Sequence, residues 1–143
     1  MAKFNDCLNA KEIGEYDGRC IRKLNTPLIW EHCDKRVYIP AGFETDLASV
    51  PRVPVVYLCW GDRAHREAVL HDYLYRIDSI LWMYGLPTSP DKEEADWLFR
   101  EAMIGQGVSW WIYHPMYLGV RTGGGSSFHC RKVMDTFPLD VRY

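Results

Sequence analysis

Within the run Ala68-Val69-Leu70-His71-Asp72-Tyr73-Leu74-Tyr75 a histidine is followed directly by an aspartate, and Tyr75 stands one helical turn beyond the histidine. Ionisable groups in such an apolar run cost free energy to bury unless partners are supplied. On a helix, Ala64, Ala68, His71, Asp72 and Tyr75 fall on one stripe, and its small alanines let another element approach closely. Asp96 stands one turn before Phe99 in a second apolar-periodic segment. Two antiparallel helices joined by a short connection would carry Asp96 toward His71 or Tyr75. A carboxylate there holds one imidazole nitrogen and leaves the other to act as a base. His71, Asp96 and Tyr75 are therefore the candidate catalytic residues. The same residues can equally satisfy one another as a polar network that fixes helix register without turnover.

A second segment joins the two halves of the chain, Phe43-Glu44-Thr45-Asp46-Leu47-Ala48-Ser49-Val50-Pro51-Arg52. Connections of this kind commonly carry sites. Asp46 is a carboxylate between apolar neighbours, and Ser49 and Arg52 are candidate substrate contacts. The competing reading is local, with Asp46 and Ser49 bonding a turn backbone and Pro51 stopping a strand. Asp46 and Asp72 are hard oxygen ligands suited to calcium or another divalent cation. His65, His71, His114 and His129 offer nitrogen to zinc, but no His-Glu-x-x-His and no histidine pair at one-turn spacing is present, so zinc is the weaker candidate.

The elements that must position these residues are legible in outline. The spacing predicts short strands over Arg19–Leu24, Leu28–Trp30, Arg36–Ile39 and Phe43–Leu47, with a hairpin turn at Asp17-Gly18. Gly61-Asp62 opens a predicted helix from Arg63 to about Trp82. Ser89-Pro90-Asp91 supplies an N-cap, a proline at the first helical position and an acid in the first turn of a second helix running to about Gly105. A shorter apolar segment, Val108 to Val120, carries Trp110, Trp111, Tyr113 and Tyr117, and Pro115 is expected to kink it. Gly123-Gly124-Gly125-Ser126-Ser127 reads as a flexible loop. The expected fold is α+β, with a small antiparallel sheet in the N-terminal half, then an antiparallel helical hairpin and a short third helix. At 143 residues one domain is expected: mainly strands and turns to residue 60, mainly helices over 61–122, and a C-terminal extension over 123–143.

Net charge is −2 with both signs interspersed, so nucleic-acid binding through phosphate neutralisation is not expected. No apolar run reaches membrane-spanning length. The polar opening Met1 to Asp6 lacks the apolar core of an export signal. The five cysteines include no Cys-x-x-Cys pair, so a zinc knuckle or thioredoxin motif is not expected, and their odd count without an export signal favours reduced thiols in a cytosolic compartment. Cys59 is a candidate nucleophile, though buried structural cysteine is far commoner. Six Trp and nine Tyr are many for a chain this size and suit either an aromatic core or an interface with other subunits.

In order and spacing the Phe43–Arg52, Ala68–Tyr75 and Ala95-Asp96-Trp97-Leu98-Phe99 motifs resemble a tailed-phage and prophage family of unknown function, DUF1353, over roughly residues 35 to 122. The resemblance implies a phage or prophage origin and brings no activity with it. His71-Asp72-x-x-Tyr75 followed by Asp96 also resembles the core of phospholipase A2. That second resemblance implies His71 as the base that activates water, Asp72 as a calcium ligand, and Tyr75 and Asp96 bracing the histidine. The chain departs from phospholipase A2 upstream, where Pro51 to Trp60 holds no glycine for a calcium loop; Asp46 is the candidate replacement. The expected function is a metal-assisted hydrolase of a phospholipid or a cell-envelope ester or amide. The alternative is a non-enzymatic virion, tail or assembly component, oligomeric or docked on other phage structural proteins. A small inhibitor of host proteins is a third reading without a sequence handle. The expected location is the host cytoplasm or the virion.

Overall fold

The computed structural model describes residues 3–46, 65–123, 125 and 128–143. The strands are β1 (Lys3–Phe4), β2 (Ala10–Tyr16), β3 (Arg19–Leu24), β4 (Leu28–His32), β5 (Lys35–Ile39), β6 (Glu44–Thr45), β7 (Leu81–Met83), β8 (Leu86–Thr88) and β9 (Val141–Arg142). The helices are α1 (His65–Leu74), α2 (Lys92–Gly105) and α3 (Trp110–Gly123). The fold is α+β, and its strands form two antiparallel sheets rather than one. One has the order β1-β4-β5-β7-β8, the other β6-β3-β2-β9.

Turn chemistry sets the hairpins. Asp17 and Gly18 both take positive φ, 51° and 72°, as a two-residue turn matched to strand twist requires. Tyr84 and Gly85 do the same between β7 and β8, at 52° and 76°. This second hairpin corrects the expected helix over Arg63–Trp82, which ends at Leu74. Apolar periodicity alone does not separate a helix from a short buried strand. Leu81-Trp82-Met83 leads into a hairpin turn and pairs Trp82 with Arg36 and Met83 with Lys35 on β5.

Helix α2 starts two residues later than its Ser89-Pro90 signal suggests. Asp91 is the N-cap, its carboxylate accepting the Glu94 amide at 2.7 Å. Ala95, Asp96, Leu98, Phe99, Ala102 and Met103 make its buried stripe. Helix α3 runs past Pro115 to Gly123 and buries only Met116 and Val120.

Helix α1 is enclosed on nearly every side from Glu67 to Tyr75, as expected of a central helix. Val69, Leu70, Tyr73 and Leu74 join Leu28, Trp30, Val37 and Ile39 of the five-stranded sheet in the main core. A smaller cluster of Phe99, Met103, Met116 and Val120 joins α2 to α3. The C-terminal extension is ordered where it is described. His129 donates its amide to the Tyr75 carbonyl at 2.8 Å, Ile77 to Arg131 at 2.9 Å, and β9 adds to the edge of β2. That closure needs glycine at position 14, because a Cβ there would lie 2.1 Å from the Val141 carbonyl oxygen.

Candidate active site

Asp96 is fully buried, with 0% exposure, and four donors converge on it. His71 Nε2 lies 2.7 Å from Oδ1, and the Tyr75 hydroxyl donates to the same oxygen at 2.6 Å. Lys92 Nζ donates to Oδ2 at 2.9 Å and Arg121 Nη1 at 3.1 Å. The sequence places these groups simply. His71 and Tyr75 are one turn apart on α1, Lys92 is one turn before Asp96 on α2, and Arg121 lies in the last turn of α3. Lys92 also donates to the Val120 and Arg121 carbonyls at 3.0 and 3.1 Å, a cation on the unsatisfied end of a helix.

Burial pushes the Asp96 carboxyl up, but hydrogen bonds from His71, Tyr75 and Lys92 outweigh it and hold the group at about 2. Asp96 is therefore an ionised acceptor. His71 must then donate from Nε2, which makes Nδ1 the basic nitrogen. Lys92 and Arg121 balance the charge of the carboxylate. Tyr75 is pushed well above its usual value by burial and by its bond to Asp96, and so stays a phenol that donates. The His71 ring packs against Tyr75 and Phe99, with centroids 4.1 and 4.8 Å away, and is 1% exposed.

Asp72 faces another way. Its carboxylate accepts the Thr45 hydroxyl, which links α1 to β6. Arg76, one turn on, donates to the Glu44 carbonyl at 2.8 Å and the Lys132 carbonyl at 3.1 Å. Burial lowers the Arg76 pKa, and the charges of Asp72 and Asp46 work against that lowering. Asp46 itself pairs with Arg19 at 3.2 Å.

The residues suit a divalent cation poorly. Asp46 and Asp72 each already carry a donor on Oδ2, and Arg76 supplies positive charge to both. Among the described residues no group of three His, Cys, Asp or Glu could hold a metal, whereas calcium takes six to eight oxygens.

The structure thus joins three of the expected residues, His71, Tyr75 and Asp96, and sets Asp72 and Asp46 in a neighbouring cluster. Ser49, Arg52 and Cys59 lie outside the described residues. Sequence reasoning missed Lys92, although its place four residues before Asp96 on a helix signals such a pair. It also missed Thr45 and Arg121, which only the tertiary fold brings in. Glu67 was legible and overlooked, standing four residues before His71 as His71 stands before Tyr75.

Glu67 is 0% exposed, and among the described residues neither carboxylate oxygen has a hydrogen-bond partner. Burial raises its pKa from 4.5 to about 7. Between those values the unfolded chain releases a proton that the folded chain keeps, so stability falls as pH rises through that window. The loss is at most about 3 kcal/mol, at about 1.4 kcal/mol per pH unit. Glu67→Gln should therefore raise stability by about 1–3 kcal/mol at pH 8 and by little at pH 4. Denaturant melts at the two pH values check this, and an equal gain at both would contradict it.

No curated protein and no solved structure matches the chain. A family model described as a protein of unknown function, DUF1353, matches residues 22–120. That span is more than half of the chain and contains His71, Tyr75, Lys92 and Asp96, and the chain belongs to this family.

Proposed function

We propose that this chain is a hydrolase in which His71 is the general base, held by Asp96 and Tyr75. The supporting observation is the double load on Asp96 Oδ1, which accepts from both His71 Nε2 and the Tyr75 hydroxyl. These bonds satisfy a buried carboxylate that joins α1 to α2, and they make it one that also orients an imidazole. It fixes the tautomer so that Nδ1 can take a proton from water or a substrate hydroxyl. Lys92 and Arg121 keep the carboxylate ionised through that transfer, and Asp96 then stabilises the imidazolium that forms. With the ring 1% exposed, turnover requires neighbouring chain to open onto Nδ1. The substrate class proposed is a phospholipid or a cell-envelope ester or amide, with Ser49 and Arg52 as contacts. Calcium at Asp72 and Asp46 is no part of this reading, because both carboxylates already carry donors and the steps above do not pass through a metal. A phage origin belongs to the same reading.

One observation favours a second reading, a non-enzymatic assembly component. Trp110 and Trp111 on α3 are 65% and 59% exposed, beside exposed Leu118, and exposed aromatics of this kind anchor protein interfaces.

Purified protein assayed on phospholipid vesicles and on envelope esters and amides separates the two. The hydrolase reading expects turnover that falls about 10²–10⁴-fold in His71→Gln while the melting temperature stays near that of the parent. Added calcium should leave the melting temperature unchanged, because Asp72 and Asp46 already carry hydrogen-bond donors. No turnover by the parent on any of these substrates, with or without calcium, or equal turnover by His71→Gln, would overturn the hydrolase reading.

A further inference from the structure

A cleft of about 520 Å³ lies where the C-terminal segment crosses the four-stranded sheet. Small-molecule sites commonly measure about 300–1,000 Å³. One wall carries a row of directly opposed residues, Lys11 on β2, Lys23 on β3 and Glu44 on β6. Phe137 and Leu139 of the C-terminal segment and Arg142 of β9 also line it.

The charges of this cleft are unbalanced. Like charges placed directly opposite each other on a sheet are destabilising, yet Lys11 and Lys23 form such a pair. Among the described residues neither lysine nor Arg142 takes part in an ion pair. Both acids at the cleft are engaged. Glu44 is buried and accepts the Phe137 amide at 3.2 Å. Glu12 pairs with Arg22 at 3.5 Å. Lys11, Lys23 and Arg142 thus outnumber Glu12 and Glu44 in the lining, beside apolar surface from Phe137 and Leu139.

We propose that this cleft binds a small anion with an apolar body, its carboxylate or phosphate head between Lys11 and Lys23 and its body on Phe137 and Leu139. The ligand head offsets the repulsion between the opposed lysines, of which only Lys23 has an acid, Glu44, across from it. The proposal is independent of hydrolysis at His71.

Titration calorimetry with decanoate, inorganic phosphate and decanol tests it. Decanoate should saturate the parent at one equivalent and bind at least ten-fold more tightly than phosphate or decanol. The double variant Lys11→Gln/Lys23→Gln should lose at least ten-fold in decanoate affinity. Its ligand-free melting temperature should match or exceed that of the parent, because the opposed charges are gone. Lys11→Arg/Lys23→Arg and His71→Gln should each bind decanoate as the parent does. Absence of decanoate binding, equal affinity in the Gln double variant, or decanoate no tighter than decanol would overturn the proposal. Should the Gln variant melt below the parent, Leu139→Gln decides instead: a ten-fold loss for decanoate with phosphate unchanged supports the cleft, and no loss overturns it.

Discussion

A carboxylate shut away from water must be met on both oxygens, and in this molecule that requirement falls on Asp96. The donors that meet it come from all three described helices: His71 and Tyr75 from α1, Lys92 from α2 itself and Arg121 from α3. The cost of burying the charge is offset only while these donors stay in place. Asp96 therefore fixes where α1 and α3 lie along α2 more sharply than apolar packing can, since packing tolerates small slides. The apolar clusters on either side agree with it. Phe99 and Met103 meet Met116 and Val120 of α3, and α1 covers the five-stranded sheet.

The same requirement shapes the chemistry. Two full cations already balance Asp96, and the orientation of the imidazole ring is settled by one short contact. Beside it, Asp72 is tied to β6 through Thr45, and Arg76 closes that cluster against the Glu44 and Lys132 carbonyls. Two adjacent residues on α1 thus serve different partners. His71 looks to the helices, and Asp72 looks to the strand that leads into the connecting segment. The C-terminal segment holds both ends of this arrangement, through Tyr75 on one side and β2 on the other.

Much of this was legible in the sequence where the signal is local. The Asp17-Gly18 turn, strands β3 to β6, the apolar stripe of α2 and the meeting of Asp96 with His71 and Tyr75 all follow from period and spacing, whereas β1 and β2 carried no strand signal that was read. The helix expected to reach Trp82 fails because Leu81-Trp82-Met83 is apolar without enough length to declare its period, and its pairing with β5 and β8 makes it a strand. The cap at Asp91 was read two residues early because Ser89 and Pro90 carry an equally good start signal. Arg121 and Thr45 had no local signal, being 25 and 27 residues from their carboxylates. Glu67 had one, the repeat of four along α1, but a carboxylate without a partner breaks the expectation that buried polar groups are satisfied. The cleft beside β2 was out of reach, since its walls come from opposite ends of the chain.

The central claim is that Asp96 sets the imidazole of residue 71 with its proton on Nε2. Long-range ¹⁵N–¹H correlation spectra of the folded protein measure this directly, because protonated and bare ring nitrogens differ widely in shift. The account predicts a proton on Nε2 of His71, hydrogen-bonded to Asp96, and loss of that single arrangement in Asp96→Asn. A ring protonated on Nδ1 alone, or a tautomer unchanged by Asp96→Asn, would contradict it.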